Sequence, residues 1–380
     1  MHRTPASIFC QRIARQLLLF SLCASLALAT ASFAEAPALK AGKLGLQSIG
    51  ALEFGPGNIL FLGDSQGAAV HAIEVSPPDA GKDNFETIPD LDTQLASLLG
   101  AGVRDIEVED MAVHEPTGTF YLSVTRGKGD KAMPALVQIS RKGELSVVDL
   151  GNIPHDTLAI GNAPAKDAKL YNLDSRTLTI TDLEYIEDEL FIAGLSNEEF
   201  ASSLRRTPFP FNGDVAATGL EIYHGAHGEY ETFAPIFSFI PYEIEGKTQL
   251  LAGYLCTPLV TFPLDEIRKK DRLRGKTIAE LGWGNIPTDL VPFESRGESW
   301  VLIINTRRGN MRVKASDIAA AQKKPGITTR VDARAGIEDH TVPLGAIAQA
   351  AAYGTDQIAL LGRSVDSGAL SLGTVQAARL

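Results

Sequence analysis

Asp182-Leu-Glu-Tyr-Ile-Glu-Asp-Glu-Leu-Phe-Ile-Ala193 is the stretch that decides the fold. An acid opens a short apolar run, Glu187-Asp188 marks a polar turn, and a second apolar run follows. Two antiparallel strands joined by a tight turn have that pattern. The unit returns along the chain. Asp110-Met-Ala-Val113 leads through Pro116-Thr-Gly118 into Phe120-Tyr-Leu122, and Asp289-Leu-Val-Pro-Phe293 leads through Arg296-Gly297 into Trp300-Val-Leu-Ile303. Ser238-Phe-Ile-Pro-Tyr242 leads through Glu245-Gly246 into Leu250-Leu-Ala252, while Gly50-Ala-Leu-Glu-Phe54 and Gln349-Ala-Ala-Ala-Tyr353 open two more units.

A second internal match adds a start. Gly151-Asn-Ile-Pro-His-Asp156 resembles Gly284-Asn-Ile-Pro-Thr-Asp289, and each follows an apolar run. The starts then fall at 50, 110, 156, 182, 238, 289 and 349, about the spacing of four-stranded blades. The expected architecture is all-β, a single β-propeller with seven blades, one of them truncated between 156 and 182; six blades is the alternative. The last unit holds three strands, so pairing of the N-terminal strand (residues 39–47) with the C-terminal one is expected to close the ring and cover the sheet edge. Helical candidates are short, at 91–99, 197–204 and 315–323, and read as insertions.

The first 34 residues have the layout of a cleavable export leader: Arg3, Arg12 and Arg15, an apolar run over 17–29, then Ser32-Phe33-Ala34 with small residues at −3 and −1. The run is shorter than the roughly 20 residues a bilayer requires. The reading is a signal peptide over 1–34, cleavage near Ala34, and a secreted or periplasmic domain over 35–380 with no transmembrane segment. Losing three arginines takes the formal charge from −11 to −14, which repels phosphate backbones and argues against a nucleic-acid partner. Cys10 and Cys23 leave with the leader. Cys256 then stands alone, so stability must come from burial rather than an internal disulfide. No Cys-x-x-Cys-His, P-loop or dinucleotide fingerprint is present, so neither haem nor nucleotide is expected.

In a propeller, the starts of inner strands share one face with the loops between second and third strands. That places Asp110, Asp156, Asp182 and Asp289 at a channel mouth, with His155, Arg205, Arg206, Arg307 and Arg308 on its rim. Arg205 and Arg206 are assigned to a long loop over 196–217 that also carries Pro208-Phe-Pro-Phe211. Converging carboxylates repel unless a cation compensates, and hard oxygen ligands suit Ca²⁺ or Mg²⁺. The pattern of polar residues opening inner strands resembles the gluconolactonase and calcium-dependent phosphotriesterase-like propellers, and the resemblance implies a divalent ion in the channel. The first unit departs from it by opening with Gly50-Ala51 instead of an acid. The other reading of these aspartates is that each accepts hydrogen bonds from backbone amides.

His224-Gly-Ala-His227-Gly-Glu229 offers ligands for zinc or copper, but its glycines mark a hairpin turn, which the strand count puts on the face opposite the aspartates. Two functions follow. One is a binding module that takes a small anionic molecule or a periplasmic protein on the channel-mouth face. The alternative is a divalent-metal-dependent, lactonase- or esterase-like hydrolase.

Overall fold

The computed structural model describes residues 39–78, 85–256 and 258–380. The leader read at 1–34 lies outside them. Six sheets stand as blades around a channel, with inner strands Leu52–Phe54, Ile106–His114, Asp182–Ile186, Ile236–Ile244, Pro287–Ser295 and Ala346–Tyr353. We number blades 1 to 6 in that order. The polar turns found in the sequence join first to second strands: Glu187, Glu245 and Arg296 adopt positive φ there, followed in the last two by Gly246 and Gly297.

Six is decided by packing. The buried apolar side chains fall into six clusters, one at each seam between neighbouring blades. Second strands are sandwiched between two neighbours, which is why Ile59–Asp64 is buried along its whole length. Among the described residues there is no seventh blade. Its supposed start belongs to Ile153–Ala159, which pairs with Ala69–Glu74 as the fourth strand of blade 1. The Gly-Asn-Ile-Pro match therefore pairs an outer strand with an inner one.

The chain takes an unusual route. It lays down four strands of the five-stranded blade 1 (Lys40–Gly42, Leu52–Phe54, Ile59–Asp64 and Ala69–Glu74), leaves to build all of blade 2 (Ile106–His114, Thr119–Arg126, Met133–Ile139 and Leu145–Val147), and returns to finish blade 1. Around the ring the order is 2, 1, 3, 4, 5, 6, because inner strands of blades 2 and 6 adjoin. This corrects the expected closure. The N-terminal strand Lys40–Gly42 pairs with Ile153–Ala159 on the outside of blade 1, not with the C-terminal strand Leu370–Gln376. The edge of that last strand is met by Ile88, whose N–H donates to Leu372 O at 2.8 Å and whose carbonyl accepts from Leu372 N at 3.0 Å. The ring closes by interlacing blades 1 and 2 and by a segment running between blades 2 and 6.

Two of the three expected helices form, Leu91–Leu99 and Ala315–Gln322. The third does not. Residues 202–208 are the third strand of blade 3, hydrogen-bonded between Glu189–Leu195 and Ala216–His224. Ser202-Ser-Leu-Arg-Arg-Thr-Pro208 is too polar to read as a buried strand, and losing it from the strand count inverts the face assigned to everything later in that blade.

Candidate functional site

Inner strands place a ring of carboxylates along the channel, and most of the ring is occupied in holding the blades together. Asp110 Oδ2 accepts from Leu52 N of blade 1 at 2.7 Å, Asp182 Oδ2 from Phe239 N of blade 4 at 2.8 Å, and Asp289 Oδ2 from Ala350 N of blade 6 at 3.0 Å. Glu53 Oε1 accepts from Tyr185 N of blade 3 at 3.4 Å, and Gln349 Nε2 donates to the Glu109 carbonyl. The second oxygens of Asp110 and Asp182 take the amides of Met111 and Leu183. These bonds match the backbone-amide reading of the aspartates.

Burial along the channel shifts these acids. Burial pushes Asp110 up to about 6, with the amides of Leu52 and Met111 pulling the other way. Glu53 is pushed up to about 8, first by burial and further by the Asp110 charge, against the pull of the Tyr185 amide. Asp182, Glu184 and Asp289 are raised well above the ordinary range, again by burial first and then by one another's charge or that of Asp110 and Glu53. A carboxyl raised on folding binds its proton more tightly in the folded chain. Its stabilisation is complete below the unfolded value and is lost as pH rises through the folded one. For Glu53 that window runs from 4.5 to about 8. Glu53→Gln, which keeps the acceptor and removes the charge, is therefore expected to stabilise the protein by about 1–3 kcal/mol more near pH 8.5 than near pH 5. Thermal unfolding at the two pH values checks this, and an equal shift at both would contradict it.

The other sequence-predicted residues do not gather at the mouth. Asp156 and His155 lie on the fourth strand of blade 1, opposite Ala72 and Ile73, roughly 14 Å from the inner strand at three strand spacings. Asp156 Oδ1 accepts from Thr157 N at 2.8 Å, and His155 Nδ1 meets Ile153 O at 2.9 Å. Arg205 is 1% exposed, so it is no rim residue. Arg206 donates to Glu189 Oε1 at 2.9 Å beside the turn that ends the inner strand, the far face from the strand starts. Arg307 and Arg308 do sit on the expected face, exposed in the loop between second and third strands of blade 5. Both backbone amides donate to Asn285 Oδ1, and Arg308 Nη2 donates to Trp283 O at 2.9 Å.

Around that segment lies a cleft of about 610 Å³ lined by Ala226, His227, Glu229, Cys256, Trp283, Gly284 and Arg330. Trp283 is 66% exposed at its edge. Cys256 follows a second strand and Trp283 precedes an inner one, so this is the face of the strand starts. The His224–His227 hairpin thus shares that face, which corrects the expectation that it lies opposite. Burial and the Glu231 charge push the Cys256 thiol up. His224 Nδ1 approaches Glu231 Oε2 at 2.7 Å, and His227 Nδ1 approaches Glu231 Oε1.

Sequence reasoning passed over Trp283, Glu231, Arg330, Glu53 and Glu184. A signal existed for three of them. Leu52-Glu-Phe54 and Leu183-Glu-Tyr185 are the same tripeptide type at the same place in two units, and Trp283 is an aromatic residue between two glycines, where a loop exposes it.

No family model matches the chain, and no curated protein matches it. Among solved structures it is similar to the extracellular domain of a putative one component system from B. thetaiotaomicron, with 12% identity, a TM-score of 0.36 and coverage of 85% of this chain but only 32% of that one. It is also similar to a Bacillus subtilis arabinanase (10% identity, TM-score 0.38, 70% of this chain and 92% of that). A third is the β-propeller domain of Myceliophteria thermophila Cps50 (14% identity, TM-score 0.36, 86% and 84%). None of these findings confirms the grouping with gluconolactonase-like propellers. Among the described residues no helix is long and apolar enough to cross a membrane.

Proposed function

We propose that this chain is an exported binding module that takes a small anionic molecule on the strand-start face, in the cleft beside Trp283. The leader layout over residues 1–34 supports export. The single observation that carries the binding reading is Trp283 itself, an indole two-thirds exposed among Arg307, Arg308 and Arg330. In a chain with a formal charge of −11, Arg330 lines the same cleft, Arg308 donates to the Trp283 carbonyl, and Arg307 Nη1 comes close to Gly284. Stacking on the indole and bidentate donation from guanidinium groups together suit a planar carboxylate or a phosphate monoester. The hydrolase alternative draws less support, because the channel carboxylates are engaged with backbone amides.

The chain has two tryptophans, and Trp300 is 4% exposed, so ligand-dependent emission changes report on Trp283. Titrating a panel of aromatic carboxylates and phosphate monoesters is expected to give saturable quenching with at least one of them. Replacing Arg307 and Arg308 together by Ala should weaken that binding by about 10-fold or more, and raised salt should weaken it as well. Saturable binding that ignores both changes, or quenching by none of the panel, would sink the proposal.

A further inference from the structure

We propose that His224, His227 and Glu231 form a binding site for one divalent transition-metal cation of the zinc class. Among the described residues they are the group of histidine, cysteine and acidic side chains whose ligand atoms converge, all within 4.8 Å of one another. Two imidazole nitrogens and a carboxylate oxygen are the donor set such a cation takes, and three protein ligands leave a further position open. His227 lines the cleft with its side chain 35% exposed, whereas Glu231 and His224 are buried behind it at 1% each. The open position would therefore face the cleft.

Three features separate this from an ordinary histidine–glutamate pair. The imidazole rings lie side by side with centroids 4.0 Å apart, and both aim Nδ1 at the same carboxylate. Without a cation, two Nδ1 protons must sit between three groups; one divalent cation replaces both. Next, Nδ1 is the ring nitrogen of His224 that has a polar partner, its Nε2 being buried without one, so the polar contact of this buried ring is directed at Glu231. Finally, the hairpin is clamped. Gly225 N donates to Glu280 Oε1 at 2.5 Å, Val331 N donates to Gly225 O at 2.9 Å, and Gly228 turns the chain at φ +78°. A Cβ at Gly225 would meet Val331 Cγ2 at 2.6 Å and Glu280 Oε1 at 2.8 Å, so this close approach requires glycine. A held geometry of this kind is what a metal site needs. Glu229, the acid the sequence pattern suggests, faces solvent opposite His224; the diagonal Glu231 turns inward instead.

The site does not depend on the anion reading, and the test keeps the two apart. The full mature chain, stripped with chelator, is titrated with Co²⁺ and its visible d–d absorption is followed. One equivalent should saturate the bands, and Zn²⁺ should displace the cobalt. Glu231 and His224 are buried, so the variant of choice is His227→Asn, whose melting temperature is checked alongside. It should bind Co²⁺ at least about 100-fold more weakly. Trp283→Phe should bind it as the wild type does. Absent bands, or equal binding by wild type and a folded His227→Asn, would overturn the site.

Discussion

Arg205→Ala is expected to destabilise the ring by about 3–5 kcal/mol, enough to remove most of the soluble protein. The guanidinium lies in the third strand of blade 3 with three acceptors around it: Asn162 Oδ1 at 2.9 Å, Leu195 O at 2.8 Å and Thr179 O at 3.3 Å. Those acceptors belong to the loop before blade 3, to the end of its second strand and to the turn before its inner strand, so one side chain clasps three segments. Burial lowers its pKa to about 10, and the Glu198 charge pulls the other way through the field rather than through contact. Truncation leaves buried carbonyls without donors and opens a cavity where Arg205, among the largest fully buried side chains of the described residues, had stood. Arg205→Lys should not rescue, because one ammonium cannot reach three acceptors spread around a planar fork. Denaturant midpoints of the two variants are the measurement, and a midpoint for Ala within error of wild type would contradict the clasp.

Asp182→Ala should cost about 2–4 kcal/mol, while Asp182→Asn, which keeps one of the two acceptors, should cost about half as much. The carboxyl joins blade 3 to blade 4 through Phe239 N and caps Leu183 N, so removing it orphans two amides at a seam. Asn keeps one oxygen to accept from one of these amides and sheds a charge that burial disfavours, but its Nδ2 is a donor and leaves the other amide unpaired. Neither Ca²⁺ nor a chelator should move the melting temperature of wild type or Asn variant through this residue. If the Asn variant fell as far as the Ala variant, or if Ca²⁺ stabilised wild type alone, the carboxylate would be serving an ion rather than an amide.

The inner-strand aspartates were legible in the sequence; their partners were not. Asp110, Asp182 and Asp289 each open an apolar run after a break, a local pattern. That their oxygens reach Leu52, Phe239 and Ala350 depends on which blade stands next in the ring. Arg205 and Arg206 misled for a related reason. Two adjacent arginines read as solvated, and only a surrounding shell of carbonyls and Glu189 makes such a pair tolerable in a strand.

By itself the sequence determined the β-strand units, their turns and the all-β class. Alternation, turn residues and apolar runs act between neighbours in the chain, and their signal survives without tertiary contacts. Only the tertiary structure decided the blade count, the excursion through blade 2 before blade 1 is complete, and the face on which His224, His227 and Trp283 meet. Each of these turns on which strand pairs with which across tens to hundreds of residues. Backbone hydrogen bonds between strands are the same whatever the side chains. The pairing is therefore chosen by how apolar faces fill the six seams, a property of the assembled ring.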